Sequence, residues 1–290
     1  MNEQILEEQA DAEALAPNDG LTQDEEATAE DKQRVRAAVV YEIIRLEGEE
    51  ELSRKFHALW WSGIAAGLCI GFSFLSEAWL AATLPDASWR PLIDNMGYTV
   101  GFLMVIMGHM QLFTENTLTA VLPVVARMRW KWVGVLLRLW GIVLAANLVG
   151  CLLFAVYFSI PGIVSNDVHA SMMNIAHHLM ANDVSQMFLR GIVAGWIIAV
   201  LVWILPTAEG SKFAIIFLLT YLIALGDLTH VIAGSAEAMF VWINGDTSLF
   251  DVVFRFFLPT LLGNVFGGTL LFATVIYAQV HEEIKGDAPL

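Results

Sequence analysis

The chain has 290 residues, 57% hydrophobic and 16% charged, with a mean hydropathy of +0.62 and a formal net charge of -15. A soluble domain carries about a quarter charged residues, and several runs here approach or exceed the ~20 apolar residues that cross a bilayer core. An ordinary soluble domain is excluded, and a polytopic membrane protein is indicated.

The negative charge is local, because 16 of the 30 acidic residues lie between Met1 and Glu51. Residues 1–30, rich in Glu, Asp, Ala and Gln, predict an acidic, disordered cytoplasmic tail without the order of a secretory signal. Over 31–56, Val35, Val39, Ile43 and Leu46 recur at helical spacing. This predicts an amphipathic helix on the cytoplasmic surface, with a coiled-coil contact as the alternative.

The first span is expected over 57–84 and carries G-I-A-A-G at Gly63 to Gly67, small residues that let helices approach closely in lipid. The second, over 95–126, is too long for one crossing. Its polar stretch G-H-M-Q-L-F-T-E-N-T-L (108–118) predicts a break near 112–116. The third is expected over 133–160, with Asn147 and Gly150. The connection 161–186 holds His169, His177 and His178 without a carboxylate or Cys at ligand spacing, so a short interfacial helix is expected rather than a metal site. Cys69 and Cys151 fall in apolar runs, read as small packing residues.

A fourth span over 187–205 carries G-I-V-A-G at Gly191 to Gly195. The fifth, over 213–242, is interrupted by L-G-D-L-T-H-V-I-A-G-S (225–235). The sixth, over 254–279, contains L-G-N-V-F-G-G (262–268), and 281–290 is a short cytoplasmic tail. An acid and an imidazole inside a hydrophobic segment are costly unless they face a cavity or a partner. Gly108, Gly226 and Gly234 are read as giving the backbone freedom to leave helical geometry.

The two halves match in order. The Gly-rich spans one and four correspond, then the breaks at Gly108 and Gly226, then Asn-x-x-Gly at Asn147 and Asn264. Three spans per half require opposite insertion, which predicts an all-α protein of two inverted three-helix repeats with broken second and fifth helices, spanning 57–280. Basic residues around the N-terminal segment, 127–131, Lys212 and Lys285 put both termini in the cytoplasm.

A broken helix exposes backbone N–H groups at one end and C=O groups at the other. The expected pathway therefore has a polar midpoint. His230 donates a hydrogen bond or a proton there, with Thr114 giving its hydroxyl to His230 or to freed backbone. Leu112 and Phe113 form an apolar constriction. Asp227 caps a half-helix or faces the vestibule, and Glu115 lies in or near the break. Asn147 and Asn264 brace the broken segments through loose carbonyls.

L-F-T (112–114), T-H-x-I-A (229–233) and G-N-x-x-G-G (263–268) resemble the formate/nitrite transporter family over 31–284. The resemblance implies an aquaporin-like protomer and a homopentamer in the bacterial inner membrane. It also implies passage of small monovalent weak-acid anions past His230, with Thr229 directly before it on the pathway. The sequence departs from the family at four positions: Gln111 and Thr229 stand where Glu is usual, and Gly234 and Gly195 where Asn is usual. The alternatives are an aquaporin-like pore for a small neutral solute or a non-conducting scaffold. No enzyme spacing, cofactor, metal or nucleic-acid partner is expected.

Overall fold

A computed structural model describes Thr22, residues 35–127 and residues 129–286. The expected tail over 1–30, Thr22 apart, and the last four residues of the C-terminal tail lie outside the described residues. The chain divides into two compact units, Met1–Arg36 and Ala37–Leu290. The fold below is that of the second, and every regular element among its described residues is helical.

The first helix, α1 (Ala37–Ser53), buries Val40, Tyr41, Ile44, Gly48 and Leu52. This stripe lies one residue over from the expected one, since Val39 and Leu46 remain 48% and 53% exposed. The sequence offers two adjacent stripes of similar hydrophobicity. Gly48 selects between them, because a side chain there would run into the backbone at Thr119.

Four helices are long and apolar enough to cross a bilayer: α2 (Phe56–Thr83), α5 (Trp130–Phe158), the helix beginning at Val184, and a last helix over Leu249–Val280. In α2 and α5 the close approach rests on small residues. A side chain at Gly63 would meet Ala146, and one at Gly67 would meet the Asn147 backbone and Gly150. Without a hydrophobic drive between helices in lipid, such backbone proximity is a main source of packing energy.

Two further apolar segments are interrupted. The first runs through α3 (Thr99–Met107), a 3-10 turn over Glu115–Thr117 and α4 (Leu122–Arg127). The break is longer than expected and the second half-helix is only six residues. Side chains hold the irregular stretch: Asn116 Nδ2 donates to the Leu112 carbonyl at 3.3 Å and Thr117 Oγ1 to the Thr114 carbonyl at 2.6 Å. Such local bonds compete with helix.

The connection after α5 holds α6 (Asn166–Met180), capped by Ser165. The next helix, α7 (Val184–Ile204), starts at a capping box in which Asp183 and Gln186 bond each other's backbone at 2.8 and 2.9 Å. The second interrupted segment is α8 (Lys212–Leu225) and α9 (Val231–Ile243), about 21 and 20 Å long. The last helix, α10 (Leu249–Val280), begins earlier than expected, at the Ser248 cap. It has π-helical stretches at Val252–Phe257 and Phe266–Ala273. It packs on α7 at Gly195 and Gly267 as α5 packs on α2 at Gly67 and Gly150.

Candidate pore site

Each break opens on the same helix stop. After α3 the His109 N–H reaches the Ile106 carbonyl at 3.2 Å and the Met110 N–H the Val105 carbonyl at 3.0 Å. After α8 the Asp227 N–H reaches Ala224 and the Leu228 N–H reaches Ile223, both at 2.9 Å. This is a Schellman stop, which needs one left-handed residue. The structure puts that residue one position later than the glycines. His109 has φ 49° and Asp227 φ 50°, whereas Gly108 and Gly226 have φ -81° and -83°. Asp and His enter this region more readily than most residues, at a cost of about 1 kcal/mol. Asp227 is fixed there by an ion pair with Arg190, which also donates to the Asp227 carbonyl at 3.2 Å. His178 Nε2 lies 3.2 Å from its other carboxylate oxygen. Gly234 is also not a backbone hinge. It sits inside α9 with the Phe256 ring over it.

Beyond each stop an asparagine ties the returning chain to the scaffold. Asn147 Oδ1 accepts from the Phe113 N–H at 2.9 Å, and its Nδ2 donates to the Gly63 and Gln111 carbonyls at 2.9 and 2.8 Å. Asn264 Oδ1 accepts from the Val231 N–H at 2.8 Å, and its Nδ2 donates to the Gly191 and Thr229 carbonyls, both at 2.9 Å. Both amides are fully buried. Each therefore satisfies backbone groups that would be orphaned in a bilayer.

His230 caps α9 and is 1% exposed. Its Nδ1 accepts from the Ala233 N–H at 3.2 Å. The lone pair is thus on Nδ1, the neutral ring carries its proton on Nε2, and Nε2–H donates to Thr114 Oγ1 at 2.8 Å. Phe102 meets the imidazole edge to face at 5.0 Å between ring centres. Leu112 and Phe113 are buried directly before Thr114, and Phe113 lies edge-on to Trp140 at 5.6 Å. The two breaks therefore meet at Thr114 and His230.

Thr229 does not share that contact, since its hydroxyl donates to the Met187 carbonyl of α7 at 2.7 Å. His169, His177 and His178 each pair elsewhere, with Asn244, Asp246 and Asp227. Among the described residues no group of His, Cys, Asp or Glu is arranged to hold a metal. Sequence reasoning passed over Phe102, Tyr98 and Glu237. Glu237 had a readable signal: it is an acid in an apolar half-helix, seven residues after His230.

Residues 38–278 match the model of the formate/nitrite transporter family. The chain is 43% identical over 256 residues to the inner membrane protein YfdC of Escherichia coli, covering 88% of this chain and 83% of that protein. It is 26% identical over 236 residues to the formate channel FocA of Haemophilus influenzae, covering 72% and 82%. Among solved structures it resembles an FNT family ion channel, with a TM-score of 0.67 at 22% identity over 84% of this chain and 96% of that one. It also resembles a pentameric formate channel with formate bound, with a TM-score of 0.68 at 19% identity over 78% and 98%. These structural likenesses give the fold. With the family model covering most of its length, the chain belongs to the formate/nitrite transporter family.

Proposed function

We propose that the chain is an inner-membrane channel or transporter for small monovalent weak-acid anions of the formate and nitrite type, with His230 and Thr114 at the polar midpoint of its pathway. The observation that carries this reading is the fixed tautomer of His230. Its Nδ1 is engaged by the Ala233 N–H, so Nε2–H is the group left to donate. A solute carboxylate or nitrite oxygen takes over that donor from Thr114, while Leu112 and Phe113 keep water from following. An anion paired with a proton crosses such apolar walls at far lower cost than a bare charge.

The same reading takes 57–280 as the transport domain, built as two inverted three-helix repeats. The matched hydrogen bonds of Asn147 and Asn264 support this, as do the matched left-handed residues His109 and Asp227. Residues 1–30 are a cytoplasmic tail, 31–56 a cytoplasmic surface helix and 281–290 a second cytoplasmic tail. The distribution of basic residues supports that orientation. A homopentamer with one pathway per protomer follows the assembly of the formate channel it resembles. Asp227, paired with Arg190, lines the outer vestibule rather than the midpoint.

A pore for a small neutral solute is the second reading. It is favoured by the uncharged Gln111 and Thr229 beside the midpoint. Uptake into proteoliposomes of the full chain separates the two. Formate, nitrite, acetate and hydrosulfide are compared with glycerol and water across a pH step. Anion uptake that falls in His230→Ala supports the first reading. Uptake whose rate and pH dependence survive that change removes the mechanism. Flux of neutral solutes alone selects the second reading, and no flux at all selects a scaffold.

A further inference from the structure

Glu237 lies on α9 seven residues after its cap His230, close to two full turns and about 10 Å along the helix. It is 7% exposed. Among the described residues its carboxyl group has no hydrogen-bond or ion-pair partner, and neither has Glu77 on α2. The described side-chain oxygens that are both sealed from solvent and unpartnered belong to Tyr41 and Ser73. The Glu237 and Glu77 oxygens therefore open onto accessible space. So does the hydroxyl of Tyr98, a residue that is 6% exposed and likewise unpartnered.

These three groups lie on segments that pack together: α2 packs on α9, and Gly97, next to Tyr98, lies against the Glu77 backbone. The Tyr98 ring lies 5.3 Å from Phe102, the ring that meets His230. The cluster thus adjoins the midpoint on the side toward the far end of α9.

Among the described residues, the nearby cations are paired. Arg190 and His178 are both engaged by Asp227. Asp94 is paired with Arg90. From α6, His169 contacts Phe240 and Asn244. The charges of α10 nearest Phe256, Asp251 and Arg255, pair with each other at 3.6 Å. From α5, Cys151 donates to the Ile232 carbonyl at 3.4 Å.

An unanswered carboxylate in the membrane interior is expensive, and two side by side are more so. We propose that Glu237, with Glu77 and Tyr98, forms a second polar station on the pathway, holding a proton and meeting solute as a carboxylic-acid hydrogen-bond donor. Solutes then cross this half of the path uncharged, as protonated weak acids or small neutral hydrogen-bonding molecules. The solute part rests on the channel reading; the proton part does not.

The test uses the full chain in liposomes. Infrared difference spectra at neutral pH should show a protonated-carboxyl band that shifts on deuterium exchange and weakens in Glu237→Gln. The band should weaken further in the combined Glu77→Gln, Glu237→Gln variant. A band unchanged in the combined variant overturns the station. Formate uptake at the same pH should stay within about twofold in Glu237→Gln, which keeps a neutral donor, and fall about tenfold in Glu237→Leu, which has none. Equal losses in Gln and Leu would mean that an ionised carboxylate is what matters, and would overturn the proposal. Uptake unchanged in Leu would remove the solute contact. A band that weakens as expected in these variants, with no formate, acetate or glycerol flux in any of them, keeps the proton site and removes the channel reading.

Discussion

Thr114 and His230, 116 residues apart, join side chain to side chain at 2.8 Å where the two interrupted segments meet. The bond is directional, because the Ala233 N–H fixes the ring proton on Nε2. Thr114→Val keeps the shape and removes the acceptor, leaving a buried N–H unpaired at a cost of about 1–3 kcal/mol. Formate uptake into proteoliposomes is expected to change by about tenfold, whereas Thr114→Ser, which keeps the oxygen, stays close to wild type. If Val and Ser variants transport alike, the hydroxyl has no part in setting the ring.

The two asparagine braces offer a test of equivalence. Each of Asn147 and Asn264 makes three buried hydrogen bonds to backbone on either side of a break. Replacing either with Ala orphans those groups and should cost on the order of 3 kcal/mol. The two losses should be similar, and they should add in the double variant if the breaks are independent. Thermal denaturation of the detergent-solubilised protein measures this. A wild-type melting temperature in one variant would mean that its break is held by something else.

Both breaks, both asparagines and the polar midpoint can be read in the sequence because each is a polar or glycine residue where hydrocarbon demands apolar ones. What cannot be read is one step finer. The left-handed turn falls on His109 and Asp227 rather than on their neighbouring glycines, because the helices run one residue further before capping. Thr229 sits beside His230 in sequence, yet its hydroxyl goes to Met187; consecutive residues in extended chain point opposite ways. The buried stripe of α1 is set by a backbone contact at Gly48 that no hydrophobic pattern encodes.

The helix α1 should carry a pH signature of its own. Burial pushes the Glu51 carboxyl above the usual range, outweighing Arg54 beside it at 3.1 Å. A carboxyl raised on folding contributes stability that is fully present below its unfolded pKa and is lost as pH rises through the folded value. Glu51→Gln stays neutral throughout. The melting temperature of the variant minus that of wild type should therefore rise over the interval that begins at about pH 4. A difference that falls over that interval would mean that the arginine, not burial, dominates.

Restoring amide side chains at Gly195 and Gly234 should fail for two different reasons. At Gly195 a Cβ would stand 2.7 Å from the Asn264 Cα, so the obstacle is the backbone of α10 itself. At Gly234 it would stand 2.7 Å from Cζ of Phe256, the end of a side chain. Overpacking of either kind costs about 1–3 kcal/mol, so Gly195→Ala and Gly234→Ala should both lower the melting temperature. Only the second has a remedy. Phe256→Leu shortens the obstructing side chain and should recover much of the loss in Gly234→Ala, while no single side-chain change in α10 recovers Gly195→Ala. If Phe256→Leu makes Gly234→Ala worse, the ring is not what excludes a side chain there, and Gly234 is needed for its backbone after all.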